Sequence, residues 1–423
     1  MRMVVNVGGI IGVVVFYALI LAIGIWAAWY GKKQNKGQTN ESGLTNVEEG
    51  QMLAGRNIGW IVGSFTMTAT WVGGGYINGT TEAIYRPDKG LIWLQAPFGY
   101  ALSLAFGAIF FVRTIRERKY VTMIDPFQEK YGNFVGAIIY IPAFIGELLW
   151  AAFILAALGS TIFVILGLNE TWSVIASAGI ALSYTVVGGL YSVAYTDIIQ
   201  LLSIFFGLWL CVPFALTNKE VDNILENTGW IGTWDWSYAG IWIDISLHLI
   251  FGGIPWQASE MELNIVTKIN LLLVAIAAGL IGLNINSISS LFVIASDLIY
   301  VVLFPQLVCV LFVECSNSYG SIIGFFFTFV IRCLSGESTL KIPALIKFPF
   351  YNEEHMEQYF PFRTALMCSG LLLIPLTSIL MRYLFTTEVL PERLDVFQTF
   401  SKKNSRDTQD DTSSSSNKRV TTL

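Results

Sequence analysis

Apolar runs of about 20 residues recur along most of this 423-residue chain. A run of that length crosses the hydrocarbon core of a bilayer as a helix, and inside lipid only helices and closed barrels satisfy their backbone polar groups. The runs are continuous and do not alternate with polar residues, so they indicate helices. Only 13% of the residues are charged, against about 25% in an ordinary soluble domain. We therefore expect an all-α polytopic membrane protein.

About eleven of these runs are long enough to be membrane spans. They lie at residues 8–29, 57–79, 91–113, 136–166, 173–189, 197–216, 241–258, 270–285, 289–313, 319–334 and 366–385. Lys32 and Lys33 follow the first run, and four basic residues lie between Arg113 and Lys119, after the third. Lys and Arg are in excess in cytoplasmic loops, so we predict an external N-terminus and a cytoplasmic C-terminus.

This orientation assigns a side of the membrane to two further features. The sequon Asn169-Glu170-Thr171 falls outside, where Asn169 is a candidate for glycosylation. A transmembrane domain then covers residues 1–398. The stretch 399–423, with its serine run and mixed charges, is typical of a disordered cytoplasmic tail.

Composition excludes several classes of function. The net charge of −5 comes with no sustained basic tract, so nucleic acid is not a predicted partner. The five cysteines show no metal-ligand spacing, and His248 stands alone in an apolar run, so neither a resident metal nor a cofactor is predicted. The sequence holds no P-loop and no nucleophile with a base beside it, so it predicts neither an enzyme nor an ATP-driven pump.

The second span contains three consecutive glycines, Gly73 to Gly75, among threonines and directly after Trp71. Glycine weakens a helix, and carbonyl groups freed inside a membrane need another partner, such as an ion. Secondary transporters break helices in this way to build ion and substrate sites near the midplane. Tight helix packing through small residues is the alternative.

A second break carries the same signature five spans later. Phe251-Gly252-Gly253-Ile254-Pro255-Trp256 combines two glycines, a proline and a tryptophan. Two interrupted helices in corresponding positions are the sequence pattern of an inverted-repeat transporter. Aromatic faces attract quaternary ammonium groups, so tryptophans at both breaks suggest such a ligand. Tryptophans near span ends are expected instead to belong to the interfacial belt.

Ionisable residues inside spans are functional candidates because burying a charge is costly. Glu147, Asp244 and Asp297 are the main candidates. Glu147 lies three residues before Trp150, on the same helix face, and could be a long-range partner for a bound cation. A hydrogen-bonded structural carboxyl is the alternative for Glu147.

Five segments closely resemble the choline-transporting members of the sodium/solute symporter family. They are residues 63–85, 95–97, 120–127, 188–197 and 252–257, within longer similar stretches at 8–258 and 291–398. The resemblance implies a leucine-transporter-type inverted-repeat fold with an extra N-terminal helix. It also implies sodium- and chloride-dependent choline import for acetylcholine synthesis, at the presynaptic plasma membrane and in synaptic vesicles. The implied partners are choline, sodium, chloride and the lipid bilayer, and a homo-oligomer stays open.

The resemblance also assigns residues. An aromatic cage for choline falls on Trp71, Tyr100, Trp150 and Trp256. Two backbone carbonyls that hold sodium fall on Ala69 and Val72. Thr196 and Asp197 belong to a family signature and are assigned to the inner ion path.

One part of the family pattern is missing. After Ala258 the similarity stops, and Ser259 to about Ala275 is unrelated to the family. At this junction, at about 258–290, the family carries further spans, including a helix whose serines complete the sodium site. The second repeat is therefore expected to be incomplete. This leaves an alternative function, a transport-inactive form that acts as a regulator or has no function.

Overall fold

The computed structural model describes residues 7–35, 59–86, 89–118, 120, 122–167, 170–219, 221, 228–256, 277–282 and 287–400. Helices dominate this part of the chain. The first half contains α1 Val7–Asn35, α2 Trp60–Trp71, α3 Gly74–Tyr85, α4 Ala96–Phe106, α5 Val112–Glu117, α6 Asp125–Tyr131, α7 Asn133–Leu166 and α8 Glu170–Leu216. The second half contains α9 Ala239–Phe251, α10 Gly253–Trp256, α11 Ile288–Leu298, α12 Phe304–Phe312, α13 Ser318–Leu334 and α14 Phe362–Thr386. A short antiparallel hairpin pairs β1 Tyr351–Asn352 with β2 Glu357–Gln358.

Seven helical stretches of the described residues are long and apolar enough to cross a membrane, and α13 is a shorter apolar helix. The chain is therefore an all-α polytopic membrane protein, as its sequence predicts. The number differs from the eleven expected spans for local reasons. The run at 57–79 is divided into α2 and α3, each of 12 residues, and most of the run at 270–285 lies outside the described residues.

The runs at 173–189 and 197–216 were expected to be separate spans, but they form one helix of 47 residues, α8. Residues 190–196 contain no proline, and each of the two preceding glycines costs a helix only about 1 kcal/mol. Nothing local therefore ends the helix. Its part at Tyr195–Leu216 is long and apolar enough to span a membrane.

The span formed by α11 and α12 lies at the centre of the protein. In an apolar 18-residue stretch within Ser290–Phe312, 83% of the residues are buried, against 28% in the corresponding stretch of Phe362–Thr386 and 0% in that of Tyr195–Leu216. A π-helical turn, Ile299–Leu303, joins the two helices, and its Tyr300 is completely buried. This buried span packs against the surrounding helices, whereas the outer helices expose apolar side chains such as Trp209.

A buried charge network joins three helices near one end. Asp297 of α11 accepts from Arg332 Nε at 2.5 Å and from Arg363 Nε at 3.1 Å. Glu337, in the connection after α13, accepts from Nη2 of the same two arginines at 2.6 Å and 3.1 Å. Two positive and two negative charges thus compensate one another. The sequence marked Asp297 as a functional candidate, but its ion pairs with Arg332 and Arg363 indicate a structural role.

Asp244 is also fully hydrogen-bonded. Its carboxylate accepts from the backbone N–H groups of Arg363 and Thr364, at 3.0 Å and 2.7 Å, and from the Thr364 hydroxyl at 2.6 Å. These two residues open α14, so Asp244 occupies the N-terminus of that helix, where the backbone favours a negative charge. The carboxylate thereby fixes α14 to α9.

Several sequence predictions concern residues outside the described part. They are the glycosylation site Asn169, most of the tail at 399–423, and much of the junction at 258–290. The orientation of the termini and the incomplete second repeat stay predictions.

Candidate functional site

The helix break predicted at the glycines lies between α2 and α3. The last helical bond of α2 runs from the Val72 N–H to the Thr68 carbonyl at 2.8 Å, and Gly73 is extended, with φ −86° and ψ −178°. An α-helix leaves its last four carbonyls without helical donors. Those of α2 belong to residues 69–72, which include Ala69 and Val72, the two predicted sodium ligands. The break therefore exposes the type of oxygen ligand that sodium requires.

The second break is much slighter. Gly252 separates α9 from α10 but keeps helical angles, φ −69° and ψ −25°, and its N–H still donates to the His248 carbonyl at 2.8 Å. The next residue, Gly253, shows why a residue without a side chain is needed at this break. A Cβ on Gly253 would come within 2.8 Å of Trp71 Cη2. The glycines thus allow α10 to approach the tryptophan at the first break.

An aromatic cluster lies beside the first break. The ring of Trp71 meets the ring of Tyr100 edge to face at 4.4 Å between centroids, and Tyr76 stacks on Tyr100 at 5.6 Å. Phe292 of α11 closes the other side of Tyr100 at 5.6 Å. Edge-to-face and offset contacts of this kind are the favourable geometries for aromatic pairs. The cluster joins both halves of the chain.

Trp150 of α7 belongs to the same cluster. Its ring lies 6.0 Å from Phe292 and 5.1 Å from Phe153. The structure thus brings together three of the four residues predicted to form a choline cage, namely Trp71, Tyr100 and Trp150. The fourth, Trp256, ends α10, and its side chain lies outside the description.

Sequence reasoning missed Tyr76 and Phe292. Tyr76 follows the three glycines directly, so its place beside the break was a signal that could have been used. Phe292 carries no such signal, because it is one phenylalanine of 29 in the chain and its neighbours are distant in sequence. Only the packing of α11 against α3 and α7 places it in the cluster.

Two buried hydroxyl groups of α4 face this region. Within the described part of the chain, neither Tyr100 Oη nor Ser103 Oγ has a hydrogen-bond partner. Ser103 lies near the second break, because a Cβ on Gly253 would come within 2.5 Å of its hydroxyl. Most buried polar groups are hydrogen-bonded, so such exceptions are typical of sites that receive a ligand, a water molecule or an ion.

A cavity of about 200 Å³ borders the cluster. Tyr76 and Phe292 are part of its wall, together with Leu249 of α9. Glu337 and Arg363 of the charge network line the same cavity. Its wall is therefore both aromatic and charged.

The predicted ion-path residues lie apart from the cavity wall. Thr196 and Asp197 are buried in α8, 8% and 7% exposed, and α8 packs against α1, α2 and α7. Their neighbour Tyr195 contacts Trp26 of α1 at 5.7 Å. Their role in an ion path stays a prediction. Glu147 of α7 is half-buried.

Comparison with known proteins places these features in a family. A profile of the sodium:solute symporter family matches residues 52–223, which contain the first break and most of the cluster. The high-affinity choline transporter 1 of Torpedo marmorata is 36% identical, over 97% of this chain and 92% of that protein. Those of Drosophila melanogaster and Homo sapiens are 38% and 37% identical, over 93% and 96% of this chain and 81% and 91% of theirs.

The length of these alignments carries further information. The match to the Torpedo protein extends over 540 residues, whereas this chain has 423. More than a hundred aligned positions of that relative thus have no counterpart here, which is what an internal gap produces. The location of the gap at 258–290 stays a prediction. At this identity and coverage, the chain belongs to the sodium:solute symporter family and is a transporter, not an enzyme.

Proposed function

We propose that this protein is a sodium-coupled choline symporter of the plasma membrane. The observation that carries the proposal is the aromatic cluster of Trp71, Tyr100 and Trp150 beside a helix break, with Tyr76 and Phe292 of the same cluster in a cavity wall. A quaternary ammonium group cannot donate a hydrogen bond, so a protein recognises it with aromatic faces. Relatives that match almost the whole chain are high-affinity choline transporters.

Sodium coupling rests on the first break. The carbonyls of Ala69 and Val72 lie past the last helical hydrogen bond of α2, on the helix that ends with Trp71. Sodium bound there would stabilise the broken conformation that holds the tryptophan in place. Substrate and ion would then favour the same state of the transporter, which is the thermodynamic requirement for coupling.

The remaining assignments are extensions of this proposal. Chloride serves as a second coupling ion, and imported choline supplies acetylcholine synthesis at presynaptic terminals. Thr196 and Asp197 line the inner ion path, and Trp256 completes the cage. The comparisons lend no support to the alternative of a transport-inactive regulator.

Radiolabelled choline uptake tests the proposal. Cells that express the full chain should take up choline in sodium medium and much less when lithium replaces sodium. Trp71→Ala should weaken the affinity for choline about thirtyfold, because a desolvated cation–π contact is worth about 2 kcal/mol. Trp209→Ala, at an exposed tryptophan of α8, is the matched control and should change little.

Surface biotinylation is needed to normalise each variant. Sodium-independent uptake would show that the first break does not couple transport to sodium. Equal choline affinities in Trp71→Ala and Trp209→Ala would show that Trp71 is not part of a choline cage. If the unsubstituted protein reached the surface but neither bound nor imported choline, the proposed function would be wrong.

A further inference from the structure

Gln95 lies on the cavity wall, directly before α4, and is 7% exposed. Its side-chain Nε2 donates to the Trp242 carbonyl of α9 at 3.0 Å. The indole Nε1 of Trp242 in turn donates to the Ile92 carbonyl at 3.0 Å. These two bonds run in opposite directions between the same two segments. They hold the Gln95 side chain in one orientation.

These two bonds determine the direction in which the amide oxygen points. A backbone carbonyl only accepts hydrogen bonds, so the NH₂ end of the amide must face Trp242 and the oxygen must point the other way. No donor among the residues that the structure describes reaches Gln95 Oε1, which is itself buried. Leaving a buried acceptor without a donor is unfavourable. The position thus calls for a ligand that donates.

The other unpartnered polar groups are less selective for a ligand that donates a hydrogen bond. The hydroxyls of Tyr100 and Ser103 can rotate and can donate or accept, so several ligands would satisfy them. Gln95 Oε1 can only accept. Gln95 also lies on the same cavity wall as Tyr76 and Phe292, whose rings contact Tyr100 in the aromatic cluster. A hydroxylated quaternary ammonium compound carries a cation for aromatic faces and a hydroxyl donor in one small molecule.

We propose that Gln95 Oε1 accepts the hydrogen bond of the substrate hydroxyl and makes Gln95 the residue that distinguishes hydroxylated from unhydroxylated quaternary ammonium compounds. This inference rests on the proposed function, because it concerns the second end of the same substrate. The aromatic rings recognise the ammonium group in either class of compound. The preference for the hydroxylated class then comes from Gln95.

Binding to the purified full-length protein tests the inference without requiring transport. Radiolabelled choline is displaced by choline or by propyltrimethylammonium, in which a methyl group replaces the hydroxyl. We expect the unsubstituted protein to prefer choline about tenfold, the value of one neutral hydrogen bond at the upper end of the usual range. In Gln95→Met the affinities for the two compounds should become about equal, because the affinity for choline falls. The affinity for propyltrimethylammonium should stay within about twofold of its value in the unsubstituted protein.

A second variant separates recognition from packing. Trp242→Phe removes the indole donor from the same pair of bonds but leaves Gln95 in place, so both compounds should change equally and the preference should remain. Equal losses for both compounds in Gln95→Met, or an unchanged preference, would show that Gln95 only fixes α4 to α9 or binds a water molecule. Failure of the unsubstituted protein to bind either compound would instead refute the proposed function, and this inference with it.

Discussion

The substitution Asp297→Asn tests the buried charge network. Asp297 is 2% exposed and contacts both Arg332 and Arg363, while Glu337 contacts the same two arginines from the other side. Asparagine has nearly the same shape but no charge. The change therefore leaves two guanidinium groups with a single carboxylate, and a net charge of +1 in a buried place.

The expected cost follows from the burial of all four side chains. Those of Arg332 and Arg363 are 7% and 13% exposed, and those of Asp297 and Glu337 are 3% and 10% exposed. Removing one partner of a buried pair costs about 3–5 kcal/mol, because the remaining charge stays desolvated and uncompensated. The double variant Asp297→Asn, Arg332→Gln has one arginine and one carboxylate and is neutral again. It should be more stable than Asp297→Asn alone.

The assay is the midpoint of thermal denaturation of the detergent-purified protein, followed by size-exclusion chromatography. Arg113→Gln is the control, because it breaks the Arg113–Glu117 pair, whose side chains are 85% and 64% exposed, and should leave the midpoint unchanged. A midpoint of Asp297→Asn equal to that of Arg113→Gln would refute the reasoning. The reasoning would also be refuted if the midpoint of the double variant fell by the sum of the falls in Asp297→Asn and Arg332→Gln measured singly. Losses of stability add at independent sites but not within a shared charge network.

Three further predictions concern other parts of the molecule. A Cβ on Gly75 would overlap the ring of Phe153, whereas a Cβ on Gly74 meets no atom of the described residues within 4 Å. Gly75→Ala should therefore lower the denaturation midpoint, at a cost of about 1–3 kcal/mol, and Gly74→Ala should not. Lys130 donates to the carbonyls of Cys309, Val310 and Val313 at 3.4, 3.1 and 2.7 Å, at the end of α12. Lys130→Met should cost about 1–2 kcal/mol in the same assay, and an unchanged midpoint would show that water replaces the ammonium group. An epitope at the N-terminus should be reachable by antibody in intact cells, and detection only after permeabilisation would reverse the predicted orientation.

The sequence by itself determined the features that depend on neighbouring residues. Continuous apolar runs predict membrane helices, because the backbone must satisfy its own hydrogen bonds in lipid. The three glycines after Trp71 predict a broken helix, and α2 ends at that point. The resemblance named Trp71, Tyr100 and Trp150, and the structure brings these rings into one cluster. Their role in choline binding stays a prediction.

Hydropathy was less informative where a helix had no local reason to end. It separated residues 173–189 from 197–216, but α8 continues through both. It also treated Asp297 as a functional candidate, because the sequence around it offers no opposite charge. Arg332 and Arg363 reach it from two other helices.

Only the tertiary structure decided which side chains meet. Phe292 joins the cluster because α11 packs against α3 and α7, and the Gln95 amide oxygen points away from α9 because the Trp242 carbonyl accepts from the amide nitrogen. Such contacts join residues that are far apart in the chain, so no local pattern reports them. The free energy of burying a polar group depends on the groups that lie nearest to it in space. A buried carboxylate between arginines has a structural role, whereas a buried acceptor to which no described group donates is available for a ligand.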